Sequence, residues 1–152
     1  MKLIAFRSIE IAASAQAVWD IISDIEHAAD HISGIKSIKV LEPATGESMI
    51  GFKWQESREW MSRDAVEVMW VTDALEASFY ETRAESHGSI YKSRLELTET
   101  ASGCELSMSF YCHPETTGAK VIWLLTGWMA RKSLRKIMGQ DLADIKNAVE
   151  ND

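Results

Sequence analysis

CELSMSFYCHPETTGAKVIWLLTGWMARKSLRKIMGQDLADIKNAVE, residues 104–150, changes its period partway along. Up to His113 the side chains alternate. Leu106, Met108, Phe110 and Cys112 share one face, and Ser107, Ser109 and Tyr111 the other, as in a half-buried strand. Pro114 closes that run. From about Thr117 to Val149 the apolar residues Val121, Leu125, Trp128, Leu134, Met138, Leu142, Ile145 and Val149 recur at three- and four-residue steps, the pattern of a helix with one apolar stripe. Such a helix would run roughly 45–50 Å at 1.5 Å per residue. Gly127 and Gly139 interrupt it, at about 1 kcal/mol each relative to Ala, and mark bends or close packing.

Upstream lies a series of short strands. LIAFRSIEIAA (3–13) alternates, with a phase shift near Arg7–Ser8, and reads as the first. Ser14 is placed to cap AQAVWDIISD, where Ala17, Trp19, Ile21 and Ile22 start a helical pattern. A second short helical stretch, DIEHAADHISG (24–34), follows and ends at Gly34. Then come IKSIKVLEP (35–43), SMIGFKWQESREW (48–60), DAVEVMWVTD (64–73), EASFYETRA (76–84) and SIYKSRLELTE (89–99), separated by turns spaced as in an antiparallel meander. The order is strand, two short helices, six strands, one long helix. A seven-stranded sheet must cover its apolar face, and only the terminal helix is long enough to do so. A curved sheet gripping one helix rarely fills completely, so a cavity is expected between them, plugged at one end by the short helices. The fold class is α+β, and the chain reads as one domain over 1–152 with no repeat, linker or low-complexity tract.

Composition narrows the function classes. At 152 residues the chain can bury about two-thirds of the surface it exposes unfolded. Hydrophobic and charged contents of 46% and 26% are ordinary for a globular protein. A formal charge of −7 argues against a general nucleic-acid binder, which needs a basic surface. Six tryptophans suit a bulky core or a pocket for something apolar. Cys104 and Cys112 lie on one strand, about 26 Å apart if extended, against the about 4.4–6.8 Å a disulfide allows. Two free thiols fit a reducing cytoplasm. MKLIAFRSIEIAAS has no long apolar core and is not expected to be a signal peptide. The longest apolar run, VIWLLTGWM, is too short to span a bilayer.

Several segments together resemble the SRPBCC superfamily, the helix-grip group that includes START lipid-transfer domains, pathogenesis-related pollen allergens and bacterial polyketide cyclase/dehydrase-like proteins. SIEIAASAQAVWDIISDIEHAADHISGIKSIKVLE is similar to its opening strand, its V-W-x-x-(I/L)-x-D helix (Val18, Trp19, Ile22, Asp24), its short second helix and its second strand. GFKWQESREW resembles the strand that opens with Gly after the first hairpin turn, SRLELTETASGCELSMSFY the last hairpin, and MGQDLADIKNAVE the closing helix. The resemblance spans the whole chain and is nearest to the small polyketide cyclase/dehydrase-like proteins. It implies a helix-grip fold: a seven-stranded curved antiparallel sheet around a long C-terminal helix, with two short helices between strands 1 and 2. His31 stands where the family commonly carries an aromatic residue.

His27 and His31 in DIEHAADHISG are four apart, and an α-helix would put them on one face. A metal site usually needs three or four ligands, and neither a third ligand nor an HExxH pattern is evident, so no metal is expected. The preferred reading is a lid at the cavity mouth. Glu26, His27 and Asp30 would face water and Ile25, Ala28, Ala29 and Ile32 the protein, with His31 and Ile32 as lid contacts.

Alternation sorts each strand into faces without showing which is inward. Tyr91, Ser93, Leu95 and Leu97 oppose Lys92, Arg94 and Glu96; Val66, Val68 and Trp70 oppose Glu67 and Met69; Phe79 is preferred to Tyr80; Phe52 and Trp54 oppose Lys53 and Gln55. The expected ligand-binding lining is Trp54, Trp70, Phe79, Tyr91, Leu95, Met108, Phe110, Leu125 and Trp128. In an arbitrary antiparallel domain these residues would pack as a dry core; the helix-grip resemblance favours a cavity of a few hundred Å3, the usual size of ligand sites. Glu56 and Arg58 share the Trp54 face but are expected past the sheet edge, solvated.

No phosphate-loop, dinucleotide or nucleophile-elbow pattern is present, and no cofactor is implied. Cys112 and His113 point to opposite faces, against a Cys–His nucleophile. Glu56/Glu59 and Asp141/Asp144 read as surface carboxylates, leaving Tyr91 or Glu67 as the acid–base candidates. The terminal helix carries Lys120, Arg131, Lys132, Arg135 and Lys136 without an acid between Thr117 and Lys136, beside Trp123, Leu124 and Trp128. That segment is either a solvated face or a peripheral contact with anionic lipid. The leading functional reading is a cytoplasmic protein that binds and carries a hydrophobic small molecule: lipid, isoprenoid or aromatic polyketide. Its rivals are a cyclase/dehydrase-type enzyme using the same cavity and a partner-binding module without ligand. Oligomeric state stays open.

Overall fold

Strands β1 (Lys2–Ile11), β2 (Ile35–Glu42), β3 (Lys53–Trp60), β4 (Arg63–Leu75), β5 (Phe79–Ser86), β6 (Ser89–Thr100) and β7 (Gly103–Pro114) form one antiparallel sheet in the order β1-β7-β6-β5-β4-β3-β2. The computed structural model describes residues 1–60 and 62–151; Asp152, the last residue of the expected domain, and the side chain of Trp60 lie outside the described residues. The meander from β2 to β7 follows from the turn spacing. Because β1 pairs with β7 rather than β2, the chain must then cross the width of the sheet, and the two short helices make that crossing.

Helix α1 (Ala15–Ile22) starts where Ser14 is positioned as a cap: its Oγ accepts from the Ala17 N–H at 3.1 Å. It buries Ala15, Val18, Trp19 and Ile22. The next segment, Ile25–Asp30, is a 3-10 helix without a side-chain cap. Two strand expectations shift. The irregularity in β1 falls at Leu3–Ala5, where Ile4 and Ala5 are both buried, and not at Arg7–Ser8. β3 begins at Lys53 instead of 48, because Gly51 adopts φ +92° and the Gly51 N–H donates to the Val71 carbonyl (2.9 Å).

The terminal helix α2 (Thr117–Glu150) begins at Thr116, whose Oγ1 accepts from the Ala119 N–H at 3.1 Å. Its C-terminal half grips the sheet: Met138, Leu142 and Ile145 are buried with Ile11, Val18, Leu106 and Cys104. Gly139 marks close packing. A Cβ there would come within 2.9 Å of the Arg7 guanidinium, which crosses to donate to the Arg135 carbonyl at 3.1 Å. The N-terminal half of α2 is different, with Val121, Ile122, Leu124, Leu125, Trp128 and Met129 exposed. The buried cysteines are unpaired. Among the described residues no helix is long and apolar enough to cross a membrane.

Candidate ligand cavity

Strand registry decides which side chains meet between sheet and helix. Trp54 sits opposite Met69, Met69 opposite Ala84, Ala84 opposite Tyr91 and Tyr91 opposite Cys112. That row and those parallel to it form the concave face. With α2 and the short helices they line a partly open cavity of about 540 Å3. Ile21, Ile22, Ile25, Ala28, His31 and Ile32 border it from the short-helix side, and Trp123, Ala130, Leu134, Ile137 and Met138 from α2.

Of the nine residues expected to line a pocket, Trp54, Tyr91, Leu95, Met108 and Phe110 lie on its wall. So do His31 and Ile32 of the lid segment. The other four do not. Trp70 is on the convex face, opposite Lys53 and Arg83, with the Lys53 Nζ 5.8 Å from its ring centre. Phe79 is also convex, under the Arg94 guanidinium at 3.9 Å, while Tyr80 turns inward and meets Trp19 edge-on at 6.1 Å. Leu125 and Trp128 face solvent at 69% and 67% exposure. In β4 the inward side chains are therefore Ala65, Glu67 and Met69, the reverse of the face chosen from apolar count.

His27 and His31 do not share a face. The 3-10 helix ends at Asp30, and His31 follows it as the cap with φ −131°, so helical spacing does not stack the two rings. The exposed His27 Nδ1 bonds the Asp24 carboxylate at 2.9 Å, which raises the imidazole pKa, whereas His31 borders the cavity. Among the described residues no three His, Cys, Asp or Glu side chains gather as a metal set. The end of this segment is tied to α2, since both the backbone N–H and the hydroxyl of Ser33 donate to Asp144 Oδ2, at 2.9 and 2.7 Å. These bonds hold the Asp144 carboxyl below its ordinary value against the opposing effect of burial.

Glu56 and Arg58, expected in solvent, instead turn into the cavity wall and meet Asp141, expected on the helix surface. Arg58 Nε donates to Glu56 at 2.7 Å, and its two terminal nitrogens form a fork with Asp141 at 3.1 and 2.7 Å. Asp141 is only 6% exposed. Burial opposes charge on Arg58, but the bonds and charges of Asp141 and Glu56 outweigh it and keep the guanidinium ionised. Gly34 makes room for this fork, because a Cβ there would touch an Arg58 terminal nitrogen at 3.0 Å. The i, i+2 spacing of Glu56 and Arg58 on the Trp54 face was a usable signal for two of the three. Nothing in the local sequence singled out Asp141.

A second polar group lies where β4, β5 and β6 end. Burial lifts the Glu67 carboxyl above its usual range, against the pull of His87 and a hydrogen bond from Ser86. Burial and the Cys112 thiol raise the Tyr91 phenol. Tyr80 is raised further by burial and by the carboxylates of Glu56 and Asp141. Between them Thr82 and Ser93 bond each other through their hydroxyls. The arrangement thus offers an apolar volume crossed by hydroxyls, the Glu67 and Asp141 carboxyls that burial raises, and an internally paired cation.

The family described as "Polyketide cyclase / dehydrase and lipid transport" matches residues 5–150. Among curated proteins none matches the sequence. The fold is similar to a START superfamily protein from Mycobacterium smegmatis, at 17% identity and TM-score 0.79 over 99% of both chains. It is also similar to the Zhui aromatase/cyclase of a Streptomyces species, at 12% identity and TM-score 0.76 over 97% of this chain and 93% of that one. At such identities the likeness is one of fold, and it agrees with the helix-grip architecture expected from the sequence.

Proposed function

The chain belongs to the polyketide cyclase/dehydrase and lipid transport family, and on that premise we propose that it binds and carries a hydrophobic small molecule in the cavity between sheet and α2. The observation that carries this reading is the partly open cavity of about 540 Å3, within the range typical of sites for drug-sized ligands. Its wall is mostly apolar, so desolvation of ligand surface would supply affinity at roughly 25 cal/mol per Å2, less the cost of ordering the lid. Trp54, Tyr91, Leu95, Met108 and Phe110 are the proposed contacts from the sheet, and His31 and Ile32 those from the lid. Tyr80, Tyr91, Thr82 and Ser93 would orient a polar end. Lipid, isoprenoid and aromatic polyketide all satisfy this description.

The test is native mass spectrometry of freshly purified protein with solvent extraction of whatever it holds, followed by titration with a hydrophobic dye. An extractable organic adduct, or dye binding that a cavity-filling Ala84→Trp substitution removes, supports the reading. Dye binding unaffected by that substitution refutes it. A second reading, catalysis in the same cavity, is favoured by Glu67, a wall carboxyl whose proton is retained above the usual range. There Tyr91→Phe would lower turnover sharply, whereas a carrier would lose only modest affinity.

A further inference from the structure

The N-terminal half of α2 has an unpaired outer surface. At about 100° per residue, Trp123, Ala130 and Leu134 point toward the cavity, while Leu124, Leu125 and Trp128 point the opposite way. Leu124 is 84% exposed, more than any other large apolar side chain among the described residues. Isolated apolar residues on a surface are ordinary; a contiguous set on one helix face marks a contact. The next two turns of that outer face carry Lys132, Arg135 and Lys136, all exposed. No acidic residue occurs between Thr117 and Lys136, in a chain whose formal charge is −7.

We propose that this half of α2 docks on an anionic lipid surface, with Leu124, Leu125 and Trp128 entering the interface and Lys132, Arg135 and Lys136 resting on the headgroups. Charge selects this occupant. Apolar exposure alone would also suit a second copy, but Thr117 to Lys136 of a second copy offers no acidic residue to meet the basic turns. An anionic bilayer matches both features, because apolar side chains gain by insertion and each cation gains from the negative surface potential. The inner side of the same turns forms cavity wall, so docking places that wall against the membrane. Docking stands apart from ligand binding, since neither Leu124 nor Leu125 borders the cavity.

The test is flotation of the full chain with phosphatidylglycerol vesicles and, in parallel, phosphatidylcholine vesicles. Partition into the anionic vesicles is expected to be at least tenfold stronger, and to fall several-fold when salt is raised from 0.05 to 0.5 M. Leu124→Ser with Leu125→Ser should cut it about tenfold, and Lys132→Glu with Arg135→Glu should do the same. Vesicles should blue-shift the tryptophan emission, and Trp128→Phe should remove most of that shift. Thermal melts that match the unsubstituted chain would show that the variants fold. Three results would overturn the proposal: no partition into anionic vesicles; partition that the Leu124/Leu125 substitutions leave unchanged; or a concentration-dependent dimer in sedimentation that those substitutions dissolve.

Discussion

Replacing Arg58 by Met tests the most consequential polar contact in the structure. The substitution keeps length and apolar stem but removes three charge-assisted bonds, one to Glu56 and a fork to Asp141. Side-chain exposures of 20%, 13% and 8% for Arg58, Glu56 and Asp141 leave little water to compensate the stranded carboxylates. Breaking a buried pair from one side costs about 3–5 kcal/mol. At about 2–4 °C per kcal/mol for a chain of this size, Tm should fall by roughly 6–20 °C.

The same logic fixes a pH dependence. Without Arg58, burial leaves the Asp141 carboxyl with a folded-state pKa above that of the unfolded chain. The resulting penalty is full above the folded pKa and fades as pH falls through it toward the unfolded value. Urea unfolding at pH 7 and pH 5 should therefore show the deficit shrinking at the lower pH. Arg58→Met/Asp141→Leu should recover a large part of the loss, since a pair replaced by apolar side chains leaves fewer charges stranded. A single variant within about 1 kcal/mol of the unsubstituted chain at pH 7, or a double variant no better than the single, would show that these contacts do not form in solution.

Ala84→Trp fills cavity space where β5 faces α2, so it should abolish dye binding while leaving the thermal midpoint unchanged or higher; a collapse in stability would mean the space is already packed. Glu67→Gln should raise the urea midpoint at pH 7 and leave it unchanged near pH 4. A carboxyl raised by folding loses stability as pH climbs from its unfolded to its folded pKa, and the amide does not titrate. Gly103→Ala would set a Cβ 2.2 Å from the Ile11 carbonyl oxygen, forcing backbone apart where β7 starts beside the end of β1. A loss of more than about 2 kcal/mol is expected by urea unfolding, against about 1 kcal/mol for Gly51→Ala, where only the positive φ is strained. Asp144→Ala removes the acceptor for both Ser33 donors, so stopped-flow dye release should quicken several-fold as the lid end frees.

The fold was legible because its signals are additive along the chain. The break at Pro114, the Ser14 cap and the spacing of turns each name an element, and their order leaves one architecture that covers the sheet. The site was legible only where a strand carries an unambiguous polar face. On β6, Lys92, Arg94 and Glu96 force Tyr91 and Leu95 inward, and β7 follows in register. On β4 apolar residues occupy both faces, so counting them favoured Trp70 and set Glu67 and Met69 on the outer face, although Glu67 was already an acid–base candidate. Pairing carries the information that periodicity lacks. Tyr80 lies opposite Leu95, so once Leu95 is inward Tyr80 must be, and Phe79 must lie outside under Arg94. Trp70 likewise lies between Lys53 and Arg83, which keep that row on the half-exposed convex face. Leu125 and Trp128 failed for a different reason. Helical period identifies an apolar stripe but not what covers it, and along the first turns of α2 the sheet contributes nothing on that side. It is that stripe, assigned to the core by periodicity and left in water by the fold, together with its basic continuation at Lys132 to Lys136, on which the proposed docking to an anionic surface rests.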